Sequence, residues 1–296
     1  MSPNPPSAFR TWCLYAAWVV VCCLVFIKPL CVLAHYVLHN DNASHILLIP
    51  LIVAWLLYGD RQRIHPASLD LFAASLFALP AVVLSAVALY RSFAEASVRL
   101  SVLILVLVLF FGAGFVALFG RASAKSAWFP LAFLLFLIPL PEPLLTRIIY
   151  LLQVGSTAVA EVIFEWSNVP VLREGFVFHL PKISIEVASE CSGIRSSIAL
   201  LILALLVAHS AFSRFWKKAV FVFSGLLMMI VKNGVRIATL TLLANYVDPG
   251  FLFGRLHKEG GVVFFLIGLL LLWPIFWLLR RGENSVSSSC SETTRP

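Results

Sequence analysis

Long apolar runs separated by short charged loops constrain this 296-residue chain more than any other feature. Hydrophobic residues make up 61% of the sequence and charged residues only 12%, whereas soluble domains are nearer half apolar and a quarter charged. Runs that suit membrane-crossing helices lie near positions 12–34, 44–58, 69–90, 100–120, 128–140, 191–212, 219–246 and 257–279. The sequence therefore predicts an all-α polytopic membrane protein with about eight transmembrane helices.

The segment 141–190 differs from the rest of the chain. Leu144 to Trp166 is amphipathic, which predicts an interfacial or re-entrant helix. Pro170 to Val187 alternates apolar and polar residues, which predicts a β-hairpin. We expect this insertion before the sixth span of a single domain over 1–281, followed by a disordered cytoplasmic tail over 282–296 that is rich in Ser and Thr.

The net charge of +8 does not indicate nucleic-acid binding, because no basic stretch has interleaved aromatic residues. The cations instead cap the apolar runs, where lipid headgroups are the expected partners. Arginine and lysine follow spans two, four, six and eight, at Arg61/Arg63, Arg121/Lys125, Arg214/Lys217/Lys218 and Arg280/Arg281. By the positive-inside rule these loops and both termini are cytoplasmic, and the 141–190 insertion is outside the cell membrane.

The six cysteines do not form a disulfide framework or a metal-binding pattern. Four of them lie in the first apolar run, where Lys28-Pro29 also predicts a kink. Cys290 lies in the tail, and Cys191 has no cysteine near it in the sequence. With no glycine-rich phosphate loop either, the sequence predicts neither a metal nor a cofactor.

Cys191 lies in the polar stretch Glu190-Cys191-Ser192-Gly193, just before a long apolar run. If a helix begins at Cys191, the unpaired N–H groups and the dipole of its first turn favour a thiolate. Arg195 then lies four residues on, at i+4, on the same helix face. The alternative is that Cys191 is an inert small residue in an ordinary helix cap.

Arg236 lies 17 residues into a span that begins near Ala219, which places it about 26 Å along the helix, near the outer end of the hydrocarbon. A charge at that depth is costly unless it is paired or used. Asn233 is one turn before it, and Lys232 could be a structural cation. The alternative for Arg236 is that its side chain only reaches the lipid headgroups.

Two histidines begin spans from the outer side. His257 begins the eighth span, and Ser44-His45 begins the second. With Cys191 and Arg236, they are expected to converge on the outer face from four different spans. A thiolate can attack a peptide carbonyl, a histidine can carry the proton, and an arginine can stabilise the oxyanion.

Each of these supporting roles has a simpler alternative. His257 could be an ordinary interfacial histidine, and His45 a structural cap. Glu190 could orient a histidine or an arginine, or could only favour the helix N-terminus. The sequence leaves these alternatives open.

Three motifs together resemble the exosortase/archaeosortase family. They are Glu-x-x-x-Glu-Cys-Ser-Gly-x-Arg-Ser over 186–196, Asn-x-x-Arg-Ile over 233–237 and His-x-x-x-Gly over 257–261. Ser44-His45 and the proline-rich stop Ile138-Pro139-Leu140-Pro141 agree as well, so the resemblance extends from about 42 to 279.

The resemblance implies a sortase-like cysteine transpeptidase whose fold is unrelated to the soluble sortases. Its substrates would be secreted proteins with a C-terminal tail made of a short motif such as Pro-Glu-Pro, a transmembrane helix and a basic end. Cys191 would be the nucleophile, and Arg236 and His257 would complete the triad. An amine or lipid acceptor would resolve the thioacyl intermediate.

Two other functions remain open from the sequence. One is a non-catalytic transporter or assembly factor for exopolysaccharide or lipid, in which Arg236 and His257 bind a headgroup or an ion. The other is an intramembrane cysteine protease that releases its product to water without transfer.

Overall fold

The computed structural model describes residues 8–292, apart from 68, 92, 94, 189–192 and 253–254. At 249, 252, 255–261 and 282–292 it describes the backbone only. The chain divides into two compact units, Met1–Leu145 and Thr146–Pro296. We describe each unit by itself.

Helices are the only regular secondary structure in the described part of the first unit. They are α1 (Ala8–Val25), α2 (Ile27–His39), a 3₁₀ helix (Asp41–Leu48), α3 (Ile49–Asp60), α4 (Leu71–Tyr90), α5 (Ala96–Ser126), α6 (Trp128–Phe133) and a 3₁₀ helix (Leu134–Leu137). The kink predicted at Lys28-Pro29 lies slightly earlier, at Phe26. Pro29 cannot donate a hydrogen bond to the carbonyl of Val25, which is where α1 ends.

The second unit contains most of α7 (Glu142–Trp166), then β1 (Leu172–Glu174), β2 (Val177–His179) and β3 (Ser184–Glu186). The helices α8 (Ile194–Ala211) and α9 (Phe215–Tyr246), a 3₁₀ helix (Pro249–Leu252) and α10 (Arg255–Glu292) follow. The backbone of α10 is helical to Glu292, and the predicted disorder of the tail from 282 stays a prediction.

Eight helices in the described part of the chain are long and apolar enough to cross a membrane, which confirms the predicted class. Seven of them cover predicted spans, and the eighth is α7 rather than the predicted 128–140. The helical part of that segment, Trp128–Leu137, is shorter than a typical span. By length and composition α7 is the eighth candidate span, because its charged residues are spaced widely enough to leave it apolar on average.

The short 128–139 segment nevertheless runs along α5. Its start packs near Phe119, in a cluster that includes Ala127 and Leu131. Its end lies near the beginning of α5, where Ser101 Oγ donates a 2.7 Å hydrogen bond to the carbonyl of Pro139. Ser101 and Phe119 are about 27 Å apart along the helix axis, close to the thickness of the hydrocarbon core. The segment therefore covers a membrane-crossing distance beside α5.

The core of the first unit depends on a close approach of α1 to α5. Tyr15 and Phe115 rings meet edge to face at 5.4 Å. Trp18 Nε1 donates a 2.9 Å hydrogen bond to the carbonyl of Phe110. Gly114 leaves the space for this indole, because an added Cβ would lie 2.2 Å from Trp18 Cδ1.

The core of the second unit lies between its small sheet and two helices. The strands are antiparallel in the order β1-β2-β3, with Phe178 of β2 opposite Arg173 of β1 and Ile185 of β3. Phe178 is fully buried and meets the Phe164 ring of α7 at 5.1 Å. The hairpin predicted over 170–187 is thus present, extended by a third strand.

Helix α7 lies along the sheet over much of its length. The ring centroids of Tyr150 and Phe176 are 5.8 Å apart. Later in α7, the ring of Phe164 contacts the ring of Phe178. These contacts span about 21 Å of helix. Between them, Gln153 donates to the carbonyl of Val187. This packing is that of a helix lying beneath a sheet, and the interfacial location of α7 stays a prediction.

Substituting Gly114 with alanine should lower the melting temperature of the protein in detergent. The added methyl group would clash with Trp18 and force α1 away from α5, at a cost of about 1–3 kcal/mol. Gly59→Ala is the matched control, because nothing lies within 4 Å of its added Cβ. Equal melting temperatures for the two variants would contradict the close packing of α1 on α5.

Candidate active site

The first turn of α8 is held in a fixed conformation by its N-cap residue. Gly193 has a φ of +67°, in the left-handed region. A Cβ added there would lie 2.7 Å from Asn233 Oδ1, so the backbone of Gly193 lies directly against α9. The carbonyl of Gly193 accepts a 3.0 Å bond from Ser196 Oγ and a 2.9 Å bond from the N–H of Ser197.

The face of α9 that meets this turn is polar. Lys232 is 2% exposed and Asn233 is 1% exposed, while Arg236, one turn further on, is half-buried. Lys232 Nζ donates a 2.6 Å hydrogen bond to Ser196 Oγ. Arginine, asparagine and lysine therefore follow one another on one helix face, next to the N-terminal end of another helix.

A second helix supports the same face of α9. Asn233 Nδ2 donates a 3.1 Å hydrogen bond to Ser156 Oγ of α7. Small residues allow the two helices to come this close: a Cβ on Gly234 would lie 2.5 Å from Val159, and one on Gly155 would lie 2.8 Å from Ile230. Asn233 is thus fixed between α7 and the first turn of α8.

The predicted site residues fall into three groups. Asn233 and Arg236 lie at the α8–α9 contact just described. Cys191 and Glu190 lie outside the described residues, and of His257 only the backbone, in the first turn of α10, is described. The meeting of Cys191, Arg236 and His257 therefore stays a prediction.

The remaining predicted residues lie elsewhere. Ser44 and His45 are half-buried in the 3₁₀ helix Asp41–Leu48 of the first unit, and their convergence with the others stays a prediction as well. Arg195 is exposed in the first turn of α8. The helical spacing proposed between Cys191 and Arg195 is wrong, because α8 begins at Ile194, after the left-handed Gly193.

Sequence reasoning missed Ser156 and the pairing of Ser196 with Lys232. The small residues Gly155, Ser156 and Thr157 were a usable signal, since such residues mark close helix contacts in membranes. No local pattern relates Ser196 to Lys232. Among the described residues, no three His, Cys, Asp or Glu side chains are placed to hold a metal ion.

Comparison with known proteins identifies the family. The model of the transmembrane exosortase family (Exosortase_EpsH) matches residues 37–274, which is most of the chain. This chain belongs to the transmembrane exosortase family. The family resemblance predicted from the three sequence motifs is thus confirmed. No curated protein and no solved structure gives a significant match.

Membership of the exosortases supports a transpeptidase-like role in a membrane. With eight apolar helices long enough to cross a membrane among its described residues, this exosortase is a multi-pass membrane protein. An exosortase also implies secreted protein substrates that carry C-terminal sorting signals. The polar contact between α8 and α9 lies within the matched region.

Replacing Gly193 with alanine should destabilise the protein more than replacing Gly175. Both glycines have left-handed backbones, with φ of +67° and +62°, so each alanine carries a conformational cost of about 1–2 kcal/mol. Only Gly193 also faces Asn233, since nothing lies within 4 Å of a Cβ on Gly175. Thermal unfolding of both variants in detergent measures the difference. Equal losses would contradict the contact between Gly193 and Asn233.

Proposed function

We propose that this protein is a thiol transpeptidase that cleaves C-terminal sorting tails of secreted proteins and transfers the mature chain to an acceptor. Cys191 is the nucleophile, Arg236 stabilises the oxyanion or binds a substrate carboxylate, and His257 carries the proton. Asn233, Glu190, Arg195, Ser44 and His45 support the site. The observation that carries the proposal is the contact of Gly193 with the polar face of α9.

The chain between Gly193 and Cys191 is short. The proposal takes Cys191 to act at the turn that contacts Asn233, since two residues of extended chain span at most about 7 Å. Arg236 is three residues after Asn233 and lies on the same side of α9. This arrangement of Gly193, Asn233 and Arg236 supports the pairing of a sulfur nucleophile with a guanidinium that the proposal requires.

The backbone of α10 is compatible with the role of His257. A Cβ on Gly268 of α10 would lie 3.3 Å from Lys232 Cδ, so Gly268 and Lys232 lie at the same height along their two neighbouring helices. His257 is about 16 Å from Gly268 along α10, and Arg236 is about 6 Å from Lys232 along α9. Because α9 and α10 run in opposite directions, His257 and Arg236 lie on the same side of the contact between Gly268 and Lys232. Their separation along the helix axes is about 10 Å.

The reaction proceeds in two acyl-transfer steps. The Cys191 thiolate attacks the carbonyl carbon of the scissile bond, and the oxyanion is stabilised by Arg236 and by the N–H groups of the first turn of α8. His257 gives a proton to the leaving amine, and a thioester to Cys191 remains. An acceptor amine or lipid hydroxyl then attacks the thioester, and His257 takes its proton as the thiolate leaves.

The distribution of cations supports a site on the extracytoplasmic side. In each unit, cation–aromatic contacts lie at the ends of helices where the positive-inside rule predicts cytoplasm: Arg61–Tyr58 and Arg121–Phe72 in the first unit, Lys217–Trp216, Arg280–Phe276 and Arg281–Trp277 in the second. The first turn of α8 lies at the opposite end of its helix. In the cell membrane, Cys191 would then face the secreted substrate.

This location suits a substrate with a motif, a helix and a basic end. The basic end remains in the cytoplasm, and the substrate helix crosses the bilayer. The motif that precedes this helix then lies just outside the membrane, at the level of the proposed nucleophile. The helical anchor thus places the scissile bond by geometry alone.

Substituting Cys191 with serine should reduce processing of a tailed substrate by about 10³-fold or more, because the thiolate would be replaced by a poorly nucleophilic hydroxyl. Immunoblotting should show the unprocessed substrate accumulating. Cys13→Ser is the matched control, since Cys13 is an exposed cysteine of α1. Normal processing by Cys191→Ser would contradict the enzymatic proposal and favour a transporter or assembly factor.

The mature C-terminus of the substrate distinguishes transfer from hydrolysis. Transfer adds the mass of an amine or lipid to the cleaved chain, because the acceptor replaces Cys191 in the thioester. We expect mass spectrometry of the processed substrate to find this added mass. A free carboxylate as the sole product would instead identify a protease that uses water as the acceptor.

A further inference from the structure

A buried lysine contacts the first turn of α8. The ammonium of Lys232 has one hydrogen-bond partner among the residues that the structure describes, Ser196 Oγ at 2.6 Å. Its side chain is 2% exposed and packs on Gly268 of α10 and beside Leu200 of α8. The nearest charged group on its own helix is Arg236, one turn on, and no carboxylate among the described residues pairs with Lys232.

A buried ammonium without a carboxylate partner costs free energy in a membrane. A lysine within an apolar helix loses its hydration and, without a carboxylate, recovers little of that energy. A structural role alone would be served by an apolar side chain of similar length, such as methionine. Ionisable residues that persist inside membranes usually have a functional role.

The hydrogen bonds of Lys232 lead towards the proposed nucleophile. Lys232 donates to Ser196 Oγ, and Ser196 in turn donates to the carbonyl of Gly193. Gly193 is the N-cap of α8, and its carbonyl also accepts the N–H of Ser197. Hydrogen bonds that follow one another polarise each other, so the positive charge of Lys232 strengthens the bond that fixes this turn.

We propose that Lys232 and Ser196 are positioning residues for the reaction of Cys191: they fix the first turn of α8, and Lys232 adds a positive charge to the hydrogen-bond chain that ends at this turn. The turn directs the unpaired N–H groups of its first residues towards the segment that holds Cys191. The charge favours the thiolate over the thiol. This inference rests on the proposed function, because it assumes that Cys191 reacts as a thiolate.

The test measures how fast Cys191 is alkylated by iodoacetamide as a function of pH. The full chain is used in detergent, and mass spectrometry resolves the peptide that contains Cys191 from those of the other cysteines. Four variants are compared with the wild type: Lys232→Met, Lys232→Arg, Ser196→Ala and Lys217→Met. The measurement needs no substrate, so its failure is distinct from a failure of the proposed function, which Cys191→Ser tests by processing.

Lys217→Met is the matched control. Lys217 also lies in α9 and is 3% exposed, but it donates to the carbonyl of Leu279, near the other end of the helix. Its loss should leave the alkylation of Cys191 unchanged. Any effect common to both methionine variants reflects the loss of a buried lysine in general.

Removing the charge should raise the pKa of the thiol. We expect the pH of half-maximal alkylation to rise by about half a unit or more in Lys232→Met and to stay near the wild-type value in Lys232→Arg, which keeps the charge. Ser196→Ala should slow alkylation several-fold at a fixed pH, because the turn loses a hydrogen bond.

Two results would overturn the proposal. One is a pH profile of Lys232→Met that matches that of Lys217→Met. The other is a wild-type rate of alkylation in Ser196→Ala. If Lys232→Met does not fold, the rate in Ser196→Ala decides alone.

Discussion

The second unit depends on one contact, in which the N-terminal turn of α8 rests on the polar face of α9. Backbone N–H groups at a helix end need partners, and in a membrane they cannot all find water. Here the turn is held by Gly193, which has no side chain and so lets Asn233 touch its backbone. Lys232 of α9 donates to Ser196 in this turn, and Asn233 donates to Ser156 of α7.

Close packing of α7 on α9 supports this arrangement together with the hydrogen bonds. Hydrogen bonds between helices in membranes average about 0.6 kcal/mol each, because unfolded helices in lipid also find partners. Close approach of α7 to α9 at Gly155 and Gly234 adds dispersion contacts along both helices. The hydrogen bonds instead select one rotation of α9 about its axis, which brings Arg236 to the side facing α8.

Hydropathy predicted the class of fold and seven of the eight spans, because the bilayer requires long apolar segments whatever their packing. For α7, length and amphipathicity give different answers, and the sheet contacts that decide its surroundings are made by residues distant in sequence, such as Tyr150 with Phe176. Motif spacing indicated Asn233 and Arg236, but the partnership of Lys232 with Ser196 joins two helices 36 positions apart. No periodicity within either helix encodes that pair.

Depth in the membrane and rotation about a helix axis are separate pieces of information. The sequence gives depth, since residues can be counted from the charged end of each span, and this is how Arg236 was placed near the outer boundary. Rotation follows from packing, and on α9 it is set by which small residues face α7 and which polar residues face α8. The proposed thiol site would need both: depth would bring the nucleophile to the secreted substrate, and rotation would bring the cations of α9 towards the first turn of α8. Lys232, Asn233 and Arg236 lie within five consecutive positions of α9. One rotation of this helix about its axis therefore sets the direction of all three side chains.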